Sequence, residues 1–136
     1  MKEFSVKVRV YYEDTDVAGV VYYVNYLKFM ERARTEWLRY LGFDQVNLSA
    51  DPGVIFAVRS AYVDYLRPAR LDDLLEATLS VTRSGSASIT FAQEIRRGDT
   101  VLCRGEIKIA SLDAASFSLM AVPDVLGAAV ERWRNN

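Results

Sequence analysis

Residues 11–41, YYEDTDVAGVVYYVNYLKFMERARTEWLRYL, decide how the rest of the chain is read. They read as a strand end, an acidic loop, a tight glycine turn and one long helix. At about 100° per residue, Tyr26, Leu27, Phe29, Met30, Ala33, Trp37, Leu38, Tyr40 and Leu41 fall on one half of that helix. Lys28, Glu31, Arg32, Thr35, Glu36 and Arg39 fall on the other half. Arg34 alone intrudes on the apolar side, where an ion pair, buried or between subunits, is expected. A face this wide and aromatic belongs to a helix lying on a broad surface, not to a narrow coiled-coil seam. Just before it, Glu13-Asp14-Thr15-Asp16 sets carboxylates where the free N–H groups of a helix start attract negative charge.

On either side of this stretch the period changes from helical to two. Phe4, Val6, Val8 and Val10 alternate with polar residues, predicting a half-buried first strand. Gly42 suits the end of the helix, and 44–53 reads as a polar connector closed by the turn signal Asp51-Pro52-Gly53. A β-rich run follows over 54–66. Leu75, Ala77, Leu79 and Val81 then mark one face of a strand, Ala87, Ile89, Phe91, Gln93 and Ile95 the next, and Val101, Cys103, Gly105, Ile107 and Ile109 the last. Ser84-Gly85 and Arg97-Gly98-Asp99 are the turns between them, so these strands should pair antiparallel. Pro123-Asp124 opens a short helix whose inner side is Val125, Leu126, Ala129, Val130 and Trp133. The order predicts one domain over 1–136, of α+β class, with an antiparallel five-stranded sheet wrapped around one long central helix. Such a sheet has open edges, and edge-to-edge pairing of two copies is expected.

The bulk numbers exclude several classes of function. A net charge of −1 gives no reason to expect nucleic acid or an anionic membrane as partner. No apolar run approaches the roughly 20 residues that cross a bilayer. The first residues, MKEFSVKVRVYY, lack the apolar core of a secretion signal, so a cytoplasmic location is expected. The chain has one cysteine and no histidine. No internal disulfide, Ser-His-Asp or Cys-His system, or His-ligated zinc can be built from it. Acid–base chemistry must rest on carboxylates, tyrosines, lysines, Cys103 or backbone donors.

The motif YYEDTDVAGVVYYVNYLKFMERARTEWLRYLGF, with Tyr65-Leu66-Arg67-Pro68-Ala69-Arg70-Leu71-Asp72-Asp73 further on, resembles the hot-dog-fold acyl-CoA thioesterases of the 4-hydroxybenzoyl-CoA thioesterase superfamily. The likeness is nearer to the Tol-Pal system-associated branch and covers almost the whole chain. It implies a hot-dog fold, a homotetramer built as a dimer of dimers, and a site at a subunit interface. The implied substrate is an acyl-CoA or an acyl group on acyl carrier protein; no metal and no cofactor are implied. It assigns the catalytic carboxylate to Asp16, the second acid of the D-x-D, and carbonyl polarisation to the backbone N–H groups of Val21, Tyr22 and Tyr23. The branch usually carries His where this chain has Tyr23, so no histidine role transfers; the 4-hydroxybenzoyl-specific relatives carry Tyr there.

A thioester has weak resonance and a good leaving group, so a carboxylate on one side and fixed N–H donors on the other suffice for hydrolysis. Asp16 can be a nucleophile or a general base on water. Asp14 reads as structural. Gly19 lets the backbone approach an acyl group, Asn25 either hydrogen-bonds in the site or caps the helix, and Glu31 is a second carboxylate at the border of the apolar arc. Coenzyme A carries phosphates, for which Arg59, Arg83, Ser84, Gly85 and Lys108 are the candidate partners. Two rivals remain. A hot-dog hydratase would need a histidine. A non-catalytic adaptor for acyl carrier protein or lipid-synthesis enzymes would need only the fold.

Overall fold

In an extended chain every second side chain meets the same face. Here that face carries Leu75, Leu79, Val81, Ile89, Phe91, Ile95 and Ile107, each at most 2% exposed. The computed structural model describes residues 1–136. Its strands are β1 (Phe4–Arg9), β2 (Val54–Tyr65), β3 (Leu74–Ser84), β4 (Ser88–Arg97) and β5 (Thr100–Asp113), and its helices are α1 (Asn25–Tyr40), α2 (Gln45–Ala50) and α3 (Asp124–Asn135). The strands form one sheet in the order β1-β3-β4-β5-β2, and every neighbouring pair is antiparallel.

The sheet curves around α1, as the helix's wide apolar arc requires. Phe29, Met30, Ala33 and Trp37 are almost wholly buried against it. The approach is closest at Gly105 of β5, where a Cβ atom would stand 3.1 Å from Met30 Cε and 3.2 Å from Met30 Sδ. A side chain there would require the Met30 thioether to shift by a few tenths of an ångström. Trp37 stands edge-on to Phe91 at 5.3 Å and to Trp133 of α3 at 5.5 Å between ring centres, an arrangement that aromatic quadrupoles favour.

Three sequence expectations are corrected. The connector over 44–53 contains α2, because Asp44 caps it: its Oδ1 accepts from the Asn47 N–H at 2.8 Å, and Leu48 is buried beneath. A helix of six residues is too short for periodicity to reveal. Val125, expected on the inner side of α3, faces outward, while Leu126, Ala129, Val130 and Trp133 are buried. Tyr40, at the edge of the α1 arc, is exposed and meets Phe4 of β1, 5.4 Å away between ring centres.

The two outer strands leave free edges. β1 pairs only with β3, and β2 only with β5. The outer edge of β2 is long, is interrupted by a bulge at Arg59, and leaves Val58 and Tyr62 exposed beside it. No helix is long and apolar enough to cross a membrane.

Candidate active site

The acidic loop is a small hairpin zipped at both ends. Thr15 and Val21 bridge across its base, the Asp16 N–H donates to the Val20 carbonyl at 2.9 Å, and the Gly19 N–H donates to the Asp16 carbonyl at 2.9 Å. Gly19 has φ +79°, a conformation that side-chain-bearing residues avoid, so the turn selects glycine. The hairpin is stitched to the segment before β3. Val20 bridges Arg70, and the Val21 N–H donates to the Ala69 carbonyl at 2.8 Å. Ala69 is in turn held by its own N–H, which donates to the buried Tyr26 Oη at 2.9 Å.

Within this frame the two aspartates have separate tasks. Asp14 is buried, and its Oδ2 accepts from the Tyr11 N–H at 2.8 Å, which makes it structural as the sequence indicated. Asp16 is exposed in the single chain and joins no ion pair; its Oδ1 accepts only from the Ala18 N–H at 2.9 Å. That contact orients the carboxylate and leaves Oδ2 without a partner in the chain.

The backbone donors at the helix start divide in the same way. The Val21 N–H is spent on Ala69, and the Tyr22 N–H on the Asp14 carbonyl at 2.9 Å. The N–H groups of Asn25, Tyr26 and Leu27 donate back to the Tyr22, Tyr23 and Val24 carbonyls. Tyr23 and Val24 are left as the adjacent residues whose N–H groups make no hydrogen bond within the chain. Of the three donors expected from sequence, only Tyr23 retains a free N–H, and Val24 joins it. Asn25 does not cap α1. It is buried, and its Nδ2 donates to the Asp14 carbonyl at 2.9 Å.

Aromatic rings wall this end of the molecule. Tyr23 meets Tyr22 at 5.1 Å and Tyr65 at 5.7 Å, and Tyr65 meets Tyr26 at 5.6 Å between centres. Burial raises the Tyr26 and Tyr65 hydroxyls above their ordinary range, keeping both neutral donors. Tyr65 is not among the site residues expected from sequence; its signal there is an aromatic residue at a strand end beside Leu66-Arg67-Pro68. Cys103, paired with Tyr65 in the sheet, is buried and its thiol is pushed up to about 12, first by burial and then by Asp64, so it is inert packing.

The remaining candidates lie elsewhere. Glu31 is exposed on α1, lines the hollow between α1 and β2, and accepts from Thr35 Oγ1 at 3.0 Å. Arg83, Thr90, Lys108 and Ser60 are successive register partners across β3, β4, β5 and β2, with Arg59 next to Ser60 in the bulge. Arg83 and Lys108 therefore share a row two strands apart, roughly 10 Å. Ser84 ends β3, and Gly85 begins its turn by donating to the Ser88 carbonyl at 2.8 Å. The basic row is separated along β2 from Tyr65 by five residues, roughly 17 Å of strand.

A sequence profile of the thioesterase superfamily matches residues 18–104. The chain belongs to that superfamily. This thioesterase is 43% identical over 126 residues to the acyl-CoA thioesterase YbgC of Haemophilus influenzae, covering 93% of each chain. It is 44% identical over 121 residues to the acyl-CoA thioester hydrolase YbgC of Escherichia coli, covering 88% of this chain and 90% of the other. The crystal structure of a Bartonella henselae protein described as a probable thioesterase superposes with a TM-score of 0.86 at 33% identity, over 89% of this chain and 99% of that one. The fold is the hot-dog fold, and the protein is a thioester hydrolase.

Proposed function

We propose that this thioesterase hydrolyses acyl-CoA, releasing free CoA and a carboxylic acid, with Asp16 as the catalytic carboxylate and the Tyr23 and Val24 N–H groups as donors to the carbonyl oxygen. One observation carries the reading. An oriented carboxylate free of any ion pair and two adjacent unspent N–H groups sit on one hairpin-to-helix junction, beside a wall of aromatic rings. The two relatives named as acyl-CoA hydrolases support the substrate class.

As a base, Asp16 takes a proton from water while the water oxygen bonds to the thioester carbon. The carbonyl oxygen gains negative charge, which the two N–H donors stabilise; the C–S bond then breaks and the departing sulfur takes the proton. As a nucleophile, an Asp16 oxygen bonds to that carbon, CoA leaves, and water hydrolyses the resulting anhydride. Both routes need the same geometry, and a single well-placed donor is worth roughly 10²–10³ in rate. The row of Arg83 and Lys108, with Arg59 and the Ser84-Gly85 turn, is suited to the CoA phosphates, which lie far from the reacting carbon at the other end of the pantetheine arm.

The functional unit is an oligomer. The free β2 edge, with Val58 and Tyr62 exposed along it, matches the pairing of two copies into one continuous sheet. That pairing would cover the exposed Asp16 hairpin from the partner's side, and two such dimers complete the homotetramer. Acyl carrier protein is a second carrier that could present the same thioester.

Thiol release from a panel of CoA esters and acyl carrier protein esters tests the reading, with Asp16→Ala beside the parent. Turnover should fall by roughly 10²–10⁴ with the melting temperature unchanged. Undiminished turnover in Asp16→Ala would remove this mechanism. Release of no thiol above background by the parent would favour an adaptor role.

A further inference from the structure

Arg34 is out of keeping with its surroundings. It lies on the apolar side of α1, and its guanidinium is sufficiently removed from water that desolvation holds its pKa below the usual arginine value, Glu31 pulling the other way. Its Nη1 donates to Gln93 Oε1 at 2.9 Å. Gln93 is fully buried and spends its Nε2 on the Met30 carbonyl at 3.0 Å and the Thr78 carbonyl at 3.2 Å, so its oxygen is locked toward the arginine. No carboxylate of the chain lies within ion-pair distance of Arg34, and its other N–H groups make no hydrogen bond. A half-buried cation with no carboxylate at ion-pair distance is poorly compensated, and folds retain one where something pairs with it.

The cavities beside it supply a route. One hollow between α1 and β2 begins at Val24 and Leu27, with Ala61 and Ile107 on the strand side. It adjoins a second of about 220 Å³, walled by Trp37, Phe56, Phe91 and Leu126. Both are lined by Glu31, Arg34 and Val58. The groove therefore starts at Val24, one of the two residues with an unspent N–H, and passes Arg34 ten residues further along α1, about 15 Å by helical rise. Helical side chains lean toward the N-terminus, so the guanidinium reaches back and the span shortens to about 10–15 Å. Lys28 also lines the groove, so its walls carry two cations against the one carboxylate of Glu31, which is engaged by Thr35.

We infer that this groove receives the acyl chain, and that Arg34 selects chains ending in a carboxylate, making the preferred substrates CoA mono-thioesters of dicarboxylic acids. The inference rests on the acyl-CoA reading above. At roughly 1.3 Å of extension per carbon, the span corresponds to about eight to twelve carbons. The apolar walls hold the methylenes, and the Gln93-braced guanidinium supplies the remaining N–H donors to the terminal carboxylate, a charge-assisted contact.

Matched pairs of substrates test it: suberyl-CoA against octanoyl-CoA, and sebacyl-CoA against decanoyl-CoA, each followed by thiol release. In the parent protein the carboxylate-ended ester should have the higher kcat/KM by roughly tenfold to a hundredfold. Arg34→Gln should reverse that order, chiefly through KM, and Arg34→Lys should retain part of it. Equal rates, or a preference for the methyl-ended esters in the parent, would overturn the inference while leaving the thioesterase reading intact. No release from any of the four would instead defeat that reading. A change in subunit number in Arg34→Gln with an unaltered substrate ratio would assign the arginine to a contact between copies, and so overturn the inference. If Arg34→Gln does not fold, the parent's two ratios decide alone.

Discussion

Asn25 Nδ2 donates to the Asp14 carbonyl at 2.9 Å, and the same carbonyl accepts the Tyr22 N–H at 2.9 Å. One oxygen thus ties the first residue of α1 and the residue before the unspent Tyr23 N–H to the acidic loop. Asp16 lies in the loop that this tie closes, so its separation from the backbone donors depends on it.

Asn25→Leu removes the side-chain half of the tie while keeping the branching and heavy-atom count of the side chain. Stability should fall by about 1–3 kcal/mol, the cost of losing one buried hydrogen bond and leaving its groups poorly matched. Turnover should fall more than that loss of fold explains, through kcat rather than KM, because the donors shift relative to Asp16. Urea titration and steady-state thiol release on the same sample separate the two. An unchanged kcat would show that the hairpin holds its place without Asn25.

Asp73 anchors the other side of the hairpin. Burial pushes its carboxyl up, but the Arg70 N–H at 2.9 Å and the Arg97 guanidinium at 2.8 Å more than offset this, and the net shift is downward. A carboxylate lowered by folding contributes stability above its unfolded value, and that contribution is lost as pH falls through the lower folded value. The parent should lose stability steadily as pH drops below about 4. Asp73→Asn should lie below it at neutral pH and approach it in acid. Parallel pH–stability curves for the two proteins would contradict this assignment.

Gly105 and Met30 are coupled by contact. Gly105→Ala puts a methyl group 3.1 Å from Met30 Cε, so the thioether must move within a full core. The expected cost is about 1–3 kcal/mol by urea unfolding. In a Met30→Ala background the same change should cost less, because the obstructing atoms are gone, giving a coupling of roughly 0.5 kcal/mol or more. Additive costs would mean that the β2 backbone, with the Tyr62 carbonyl 3.4 Å from the added atom, sets the limit instead.

The sequence alone determined the period-two strands, the wide aromatic face of α1, the glycine turn at Gly19 and the pair Asp14–Asp16, because each follows from neighbours a few residues apart. Even Gln93 on an inward strand face was legible as a polar residue among Ile89, Phe91 and Ile95. What it does there was not, since its partners Met30, Arg34 and Thr78 come from α1 and β3. The same limit separates Val21 and Tyr22 from Tyr23 and Val24. All four are backbone donors in one short run, and nothing local distinguishes them. Only the tertiary structure, by bringing Ala69 and Asp14 alongside, decides which N–H groups are spent and which remain unspent. A hydrogen bond consumes its donor, and which acceptor arrives depends on chain segments that meet only once the sheet has closed around the helix.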